Sequence, residues 1–335
     1  MTSSSRVIVF SVLLIALDCA CVRAGETPKG ADDWLPMPQF YALIKSNICD
    51  LDTAAARPRG DVLGLNLSDA SPDAWCQYAK WHTNIIYLRV ESGSDTIPTD
   101  VLENCQCFPH LRYLYLRMPK AGNVPAAIAL LTNVITLEYL TVQAKKATNV
   151  SRQLYAPSSI KGLELYLGAV CLPDGISILT KLRRLDLLLT PVECLPSDLP
   201  ESRLLEFSIS RAKGIDKLLP RLPPELVSLD AIGCGLKAIP DDWLHQSNLS
   251  RINLNDNRIA VMPSNLTGLP ALKEFFIEDN AITKLPALHL PAADDLKLRL
   301  FGNPLKEVDK SNAALVRRGV LQYDGDKSSS PPAAR

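Results

Sequence analysis

LSRINLNDNRIAVMPSNLTGLP, residues 249–270, places Leu249, Ile252, Leu254, Ile259 and Met262 at intervals of three, two, five and three, with Asn257 among them. Neither the 3.6-residue period of a helix nor the two-residue period of a strand accounts for that spacing. The frame apolar-x-x-apolar-x-apolar recurs, however, with first positions at Ile85, Leu111, Leu137, Ile160, Leu182, Leu204, Leu226, Leu249, Leu272 and Asp295. Asp295 is out of character, but Leu298 and Leu300 follow it in place. The intervals are 26, 26, 23, 22, 22, 22, 23, 23 and 23 residues, and Val62, Leu65 and Leu67 add a unit 23 residues ahead of Ile85.

An apolar-Pro pair marks most units: Ile97-Pro98, Val124-Pro125, Leu172-Pro173, Leu195-Pro196, Leu219-Pro220, Ile239-Pro240, Met262-Pro263 and Leu285-Pro286. Proline lacks a backbone donor, so it stops the strand and starts the return. A unit of this size cannot bury its own apolar face, so units stack and share one core.

The frame resembles the leucine-rich repeat superfamily, whose consensus L-x-x-L-x-L-x-x-N/C-x-L matches Leu249 to Ile259 and Leu272 to Ile282 and extends over residues 62 to 308. The resemblance implies an α/β solenoid: a horseshoe with a parallel β-sheet on its concave face and irregular, 3-10 or helical return segments outside. It also implies that Asn257, Asn280 and Asn303, with Cys234 one unit earlier, form an interior ladder bonded to neighbouring backbone. Gly93, Pro119, Lys145, Gly168, Thr190 and Ala212 depart from that slot, so the first two thirds of the solenoid are expected to be less regular.

The expected organisation is a signal peptide at 1–24, an N-terminal cap at 25–61, a solenoid of ten to eleven repeats at 62–310, a capping helix at 311–323 and a disordered tail at 324–335. Arg6, the apolar run Val7 to Leu17 and the small-residue site before Gly25 carry the first assignment. Eleven apolar residues are too few to span a bilayer of about 30 Å. A secreted, extracellular chain without a membrane span is the expectation, and sequons at Asn66, Asn149, Asn248 and Asn265 agree with it.

Seven cysteines follow the signal segment. Cys234 sits in the ladder slot and is expected to be free and buried. Cys171 and Cys194 occupy equivalent points of adjacent units, within disulfide reach. Pairing among Cys49, Cys76, Cys105 and Cys107 stays open. The Cys105-x-Cys107 spacing does not suit zinc.

Lys plus Arg equal Asp plus Glu at 36 each, so no net charge points to nucleic acid. The four histidines share no motif with a nucleophile, and no phosphate loop or metal-protease helix occurs; neither an enzyme nor a cofactor is expected.

Function is expected on the concave face, where the third, fifth and seventh frame positions point away from the core. The third reads Tyr87, Tyr113, Tyr139, Gly162, Arg184, Glu206, Ser228, Arg251, Glu274, Lys297; the fifth reads Arg89, Tyr115, Thr141, Glu164, Asp186, Ser208, Asp230, Asn253, Phe276, Arg299. With Arg117 and Tyr166 at the seventh, five of the nine tyrosines gather on four units beside two arginines. Tyrosine and arginine are the types enriched at interface hot spots, although cross-strand stacking alone also favours tyrosine on a sheet. Tyr87, Arg89, Tyr113, Tyr115, Arg117, Tyr139 and Tyr166 are therefore the candidate protein-binding strip, exposed by this reading. Phe276, Arg299 and Phe301 form a second candidate patch, and a carbohydrate ligand is the alternative to a protein.

Overall fold

The computed structural model describes residues 48–50, 62–68, 84–93, 97, 99–212, 215–292 and 295–325. The expected signal peptide, nearly all of the cap and the tail from residue 326 lie outside the described residues. One parallel sheet of thirteen strands dominates. Its first six are β1 (Ile48–Asp50), β2 (Gly64–Ser68), β3 (Tyr87–Glu91), β4 (Tyr113–Arg117), β6 (Tyr139–Ala144) and β8 (Gly162–Leu167). β10 (Arg184–Leu187), β12 (Glu206–Ser210), β13 (Ser228–Ile232), β14 (Arg251–Asn253), β15 (Glu274–Phe276), β16 (Lys297–Arg299) and β17 (Leu321–Gln322) continue it in chain order. Each frame aligns with the next without slip, as in Tyr87 opposite Tyr113 opposite Tyr139. The fold is an α/β leucine-rich-repeat solenoid.

Frame positions one, four and six bury their aliphatic side chains in a single continuous core from Val62 to Leu321. The return segments carry two short parallel pairs, β5 (Asn123–Val124) with β7 (Asn149–Val150) and β9 (Val170–Cys171) with β11 (Val192–Cys194). Among the described residues they also hold 3-10 turns and three short helices, α1 (Thr99–Asn104), α2 (Ile215–Leu218) and α3 (Ala313–Arg317). Trp243 closes one return by donating from its buried indole to the Leu219 carbonyl at 3.0 Å.

After each of six successive strands the chain turns through a left-handed residue: Leu189, Arg211, Gly233, Asp256, Asp279 and Gly302. The residue that follows reaches inward. The Asn257 amide donates to the carbonyls of Ala231 and Leu254, and its oxygen accepts from Leu236 N–H. Asn280 bridges Leu254 and Ile259 in the same way, and Asn303 bridges Ile277 and Ile282. Cys234 is free and buried, its thiol only 3.9 Å from the Ile209 carbonyl.

Three points differ from the sequence expectation. Thr190 departs from the consensus yet acts as a rung, donating to the Leu165 carbonyl at 2.6 Å and accepting from Leu167 N–H at 2.9 Å. A hydroxyl offers both functions an amide does, at shorter reach. Among the described residues the early units lack the left-handed turn and the rung, as their departures from the consensus slot imply, yet their strands are longer: β3, β4, β6 and β8 run five or six residues, against three for β14 to β16. The longer repeats put their additional residues into return segments. Finally, residues 311–323 are not all helix. α3 spans five residues, Gly319 turns the chain with a left-handed backbone, and β17 adds a last strand that buries Leu321. Asn312 precedes α3, but its side chain ties Pro286 and Leu288 of the previous unit.

Cys171 and Cys194 form a disulfide with a Cα separation of 4.3 Å. Cys107 is disulfide-bonded, while Cys105 is free, its thiol pushed up to about 12 by burial.

Candidate functional site

On the concave face the tyrosines separate into two groups. Tyr87, Tyr113 and Tyr139 are almost fully buried, at 4%, 1% and 2% exposure, contrary to the expected exposed strip. The cause is the sheet spacing: in-register rings on neighbouring strands can lie flat on one another. Tyr113 and Tyr139 stack with centroids 4.6 Å apart and planes within 2°. Leu63 and Ile86 pack beside them. The stack leans over Gly162, where a Cβ would stand 2.4 Å from Tyr139 Cδ1. This glycine is required by close approach, and the three rings are sheet architecture.

Tyr115 and Tyr166 remain half-buried, as do Arg89 and Arg117. Arg89 lies over the Tyr115 ring at 5.2 Å. The Tyr115 hydroxyl donates to Gln143, and Glu91 pairs with both Arg89 and Arg117. These contacts hold one aromatic ring and two guanidinium groups in place on β3 and β4, and Tyr166 stands on the same face on β8. Beside the stack, at the starts of the strands, runs an open groove of about 530 Å³ lined by Leu63, Ile86, His110, Arg112, Thr136 and Glu138.

The centre of the face is a row of charge that composition conceals. Arg184 pairs with Asp186 at 3.2 Å and Glu206 at 2.7 Å; Arg251 pairs with Asp230 at 3.7 Å and Glu274 at 2.5 Å. Glu164 accepts a hydrogen bond from Thr141 at 3.1 Å. Burial raises the Glu164 carboxyl to about 7, with the neighbouring Asp186 charge acting in the same direction and Arg184 against it. Burial also raises Asp186, Glu206 and Asp230, each opposed by an arginine.

In the second patch, Phe276 is sandwiched between Arg299 at 4.6 Å and Arg251 at 5.0 Å. Phe276 and Phe301 are buried, so that surface offers guanidinium groups more than rings. Asn149, Asn248 and Asn265 are exposed outside the main sheet, and the Asn265 oxygen accepts from the Thr267 hydroxyl at 2.7 Å. Asn66 is half-buried on β2 opposite Arg89, at the edge of the tyrosine region. Among the described residues no three His, Cys, Asp or Glu side chains converge to hold a metal, and no helix is long and apolar enough to cross a membrane.

The sequence matches no protein-family profile and no curated protein. Solved structures share its fold. A TLR13–ssRNA13 complex is similar at TM-score 0.62 and 18% identity over 78% of this chain. The Toll–Spatzle complex of Drosophila is similar at TM-score 0.55 and 16% identity over 83%. This chain spans 38% and 43% of the length of those two chains.

Proposed function

We propose that the protein is a secreted, glycosylated binding module that recognises a protein partner through its concave face. The observation that carries this reading is the strip of half-exposed Tyr115, Arg89 and Arg117, held by one another and by Glu91 and Gln143, with half-exposed Tyr166 beside it on β8. Rigid aromatics and arginines concentrate interface energy because little side-chain entropy is lost when they are covered. The Toll–Spatzle complex is precedent for a protein ligand on this fold. The TLR13 complex holds RNA. Here the row of Glu164, Asp186, Glu206 and Asp230 opposes a phosphate backbone, which favours a protein. The stacked faces of Tyr113 and Tyr139 are occupied by each other, which leaves fewer platforms for a sugar.

The reading is tested by amide hydrogen exchange with a partner captured on the immobilised protein. Protection centred on β3, β4, β6 and β8 is expected, and protection confined to the return segments would refute it. Mass loss on treatment with an N-glycosidase checks the four sequons on material from the native host.

A further inference from the structure

We infer that the concave face takes up a guanidinium or ammonium side chain of the partner, seated against Glu164 between Tyr115 and Tyr166. The inference rests on the concave-face reading and names the chemistry recognised there.

The argument is one of unmatched charge. Arg184 is engaged by Asp186 and Glu206, and Arg251 by Asp230 and Glu274. Glu164 is buried in the same row, yet among the described residues no cation stands within ion-pair distance of it, and the hydrogen bond it receives comes from neutral Thr141. Asp186 lies directly opposite on the next strand and adds a second negative charge. A buried carboxylate needs a counter-charge or a proton, and a basic side chain from outside supplies the first.

A second observation is independent of the carboxylates. Among the described residues the buried Tyr139 hydroxyl has no hydrogen-bond partner, and it lies within electrostatic range of Arg184 and Glu206. The centre of the face therefore contains polar capacity that the chain itself does not use. Tyr115 and Tyr166 flank it, and both are coupled electrostatically to Glu164. The Tyr115 ring already carries the Arg89 guanidinium, which demonstrates its fitness for a cation. Arginine suits the site best, because a planar fork can bond a carboxylate while its face rests on a ring.

Binding should depend on pH. The groups facing Glu164 are Asp186 and Arg184 on β10, Tyr166 on its own strand, and Tyr115 on β4. Acidification from pH 7.5 to 5.5 protonates Glu164, whose carboxyl is raised to about 7 by burial, and the protonated group loses its attraction for a cation.

The test uses the full chain and fluorescein-labelled hexa-arginine, hexa-lysine and hexa-glutamate peptides, read by fluorescence anisotropy at about 0.15 M salt to screen long-range attraction. Hexa-arginine is expected to bind and hexa-glutamate not to. Glu164→Gln and Tyr166→Ala should each weaken hexa-arginine by about tenfold or more. Moving from pH 7.5 to 5.5 should weaken the wild type about tenfold and leave Glu164→Gln much less affected. Thermal melts of each variant verify folding, and the near-isosteric glutamine avoids a packing change. No binding of either basic peptide, or equal binding by Glu164→Gln, overturns the inference. Binding lost in Tyr166→Ala but kept in Glu164→Gln overturns the cation site while leaving the concave-face reading intact.

Discussion

Gly162→Ala tests whether the tyrosine stack is architecture. The added methyl would lie 2.4 Å and 2.5 Å from two ring carbons of Tyr139. The ring cannot retreat freely, because its other face rests on Tyr113 at 4.6 Å. Losing a stacked pair costs about 0.5 to 1.5 kcal/mol. Overpacking a filled site costs about 1 to 3 kcal/mol. Alanine restricts the unfolded chain and returns about 0.4 to 1 kcal/mol. The net expectation is a destabilisation of about 1 to 3 kcal/mol, measured by urea denaturation with tyrosine near-ultraviolet dichroism as the probe. In a Tyr139→Ala background the same substitution should be close to neutral, giving a coupling of at least about 1 kcal/mol. Equal cost in both backgrounds would refute the reasoning, since the clash would then not involve the ring.

Asn280→Ala removes the acceptor of Ile259 N–H and the donor to the Leu254 carbonyl, both buried, and should cost about 2 to 5 kcal/mol in denaturant melts. Arg211 is an exposed residue with left-handed backbone at a position where other units use glycine, so Arg211→Gly should stabilise by about 1 kcal/mol in the same assay. The Glu164 carboxyl is raised in the folded protein, so the folded state binds the extra proton and this group's contribution to stability falls as pH rises from the unfolded value to about 7. Glu164→Gln should therefore flatten stability between pH 4.5 and 7 and stabilise at pH 7.5 by on the order of 1 to 3 kcal/mol. Replacing Cys171 and Cys194 by serine opens a link across 23 residues and should cost about 3 kcal/mol.

The repeat frame made the sheet, its register and its core legible, because stacking forces the same inward positions in every unit. Cys171 with Cys194 was legible for the same reason. Exposure was less so. Alternation identifies which side chains leave the core but not which then cover one another, and Tyr87, Tyr113 and Tyr139 hide their own surfaces. The charged row was present in the fifth-position list as Glu164, Asp186 and Asp230, interrupted by Ser208. Its signal emerges only when that list is joined to Arg184, Glu206 and Arg251 at the third position, because the ion pairs run within and across strands. Thr190 escaped the consensus because the ladder requires a donor and an acceptor, not an amide.

The central claim is that binding occurs on the concave face. Its most direct test is the dissociation constant of the captured partner for wild type, for Tyr115→Ala with Tyr166→Ala, and for Ile135→Ser, which alters an isoleucine 82% exposed outside the sheet. The concave double variant should lose at least about 2 kcal/mol, a factor near 30, with Ile135→Ser unchanged. Loss in Ile135→Ser with full affinity in the concave variant would contradict the account.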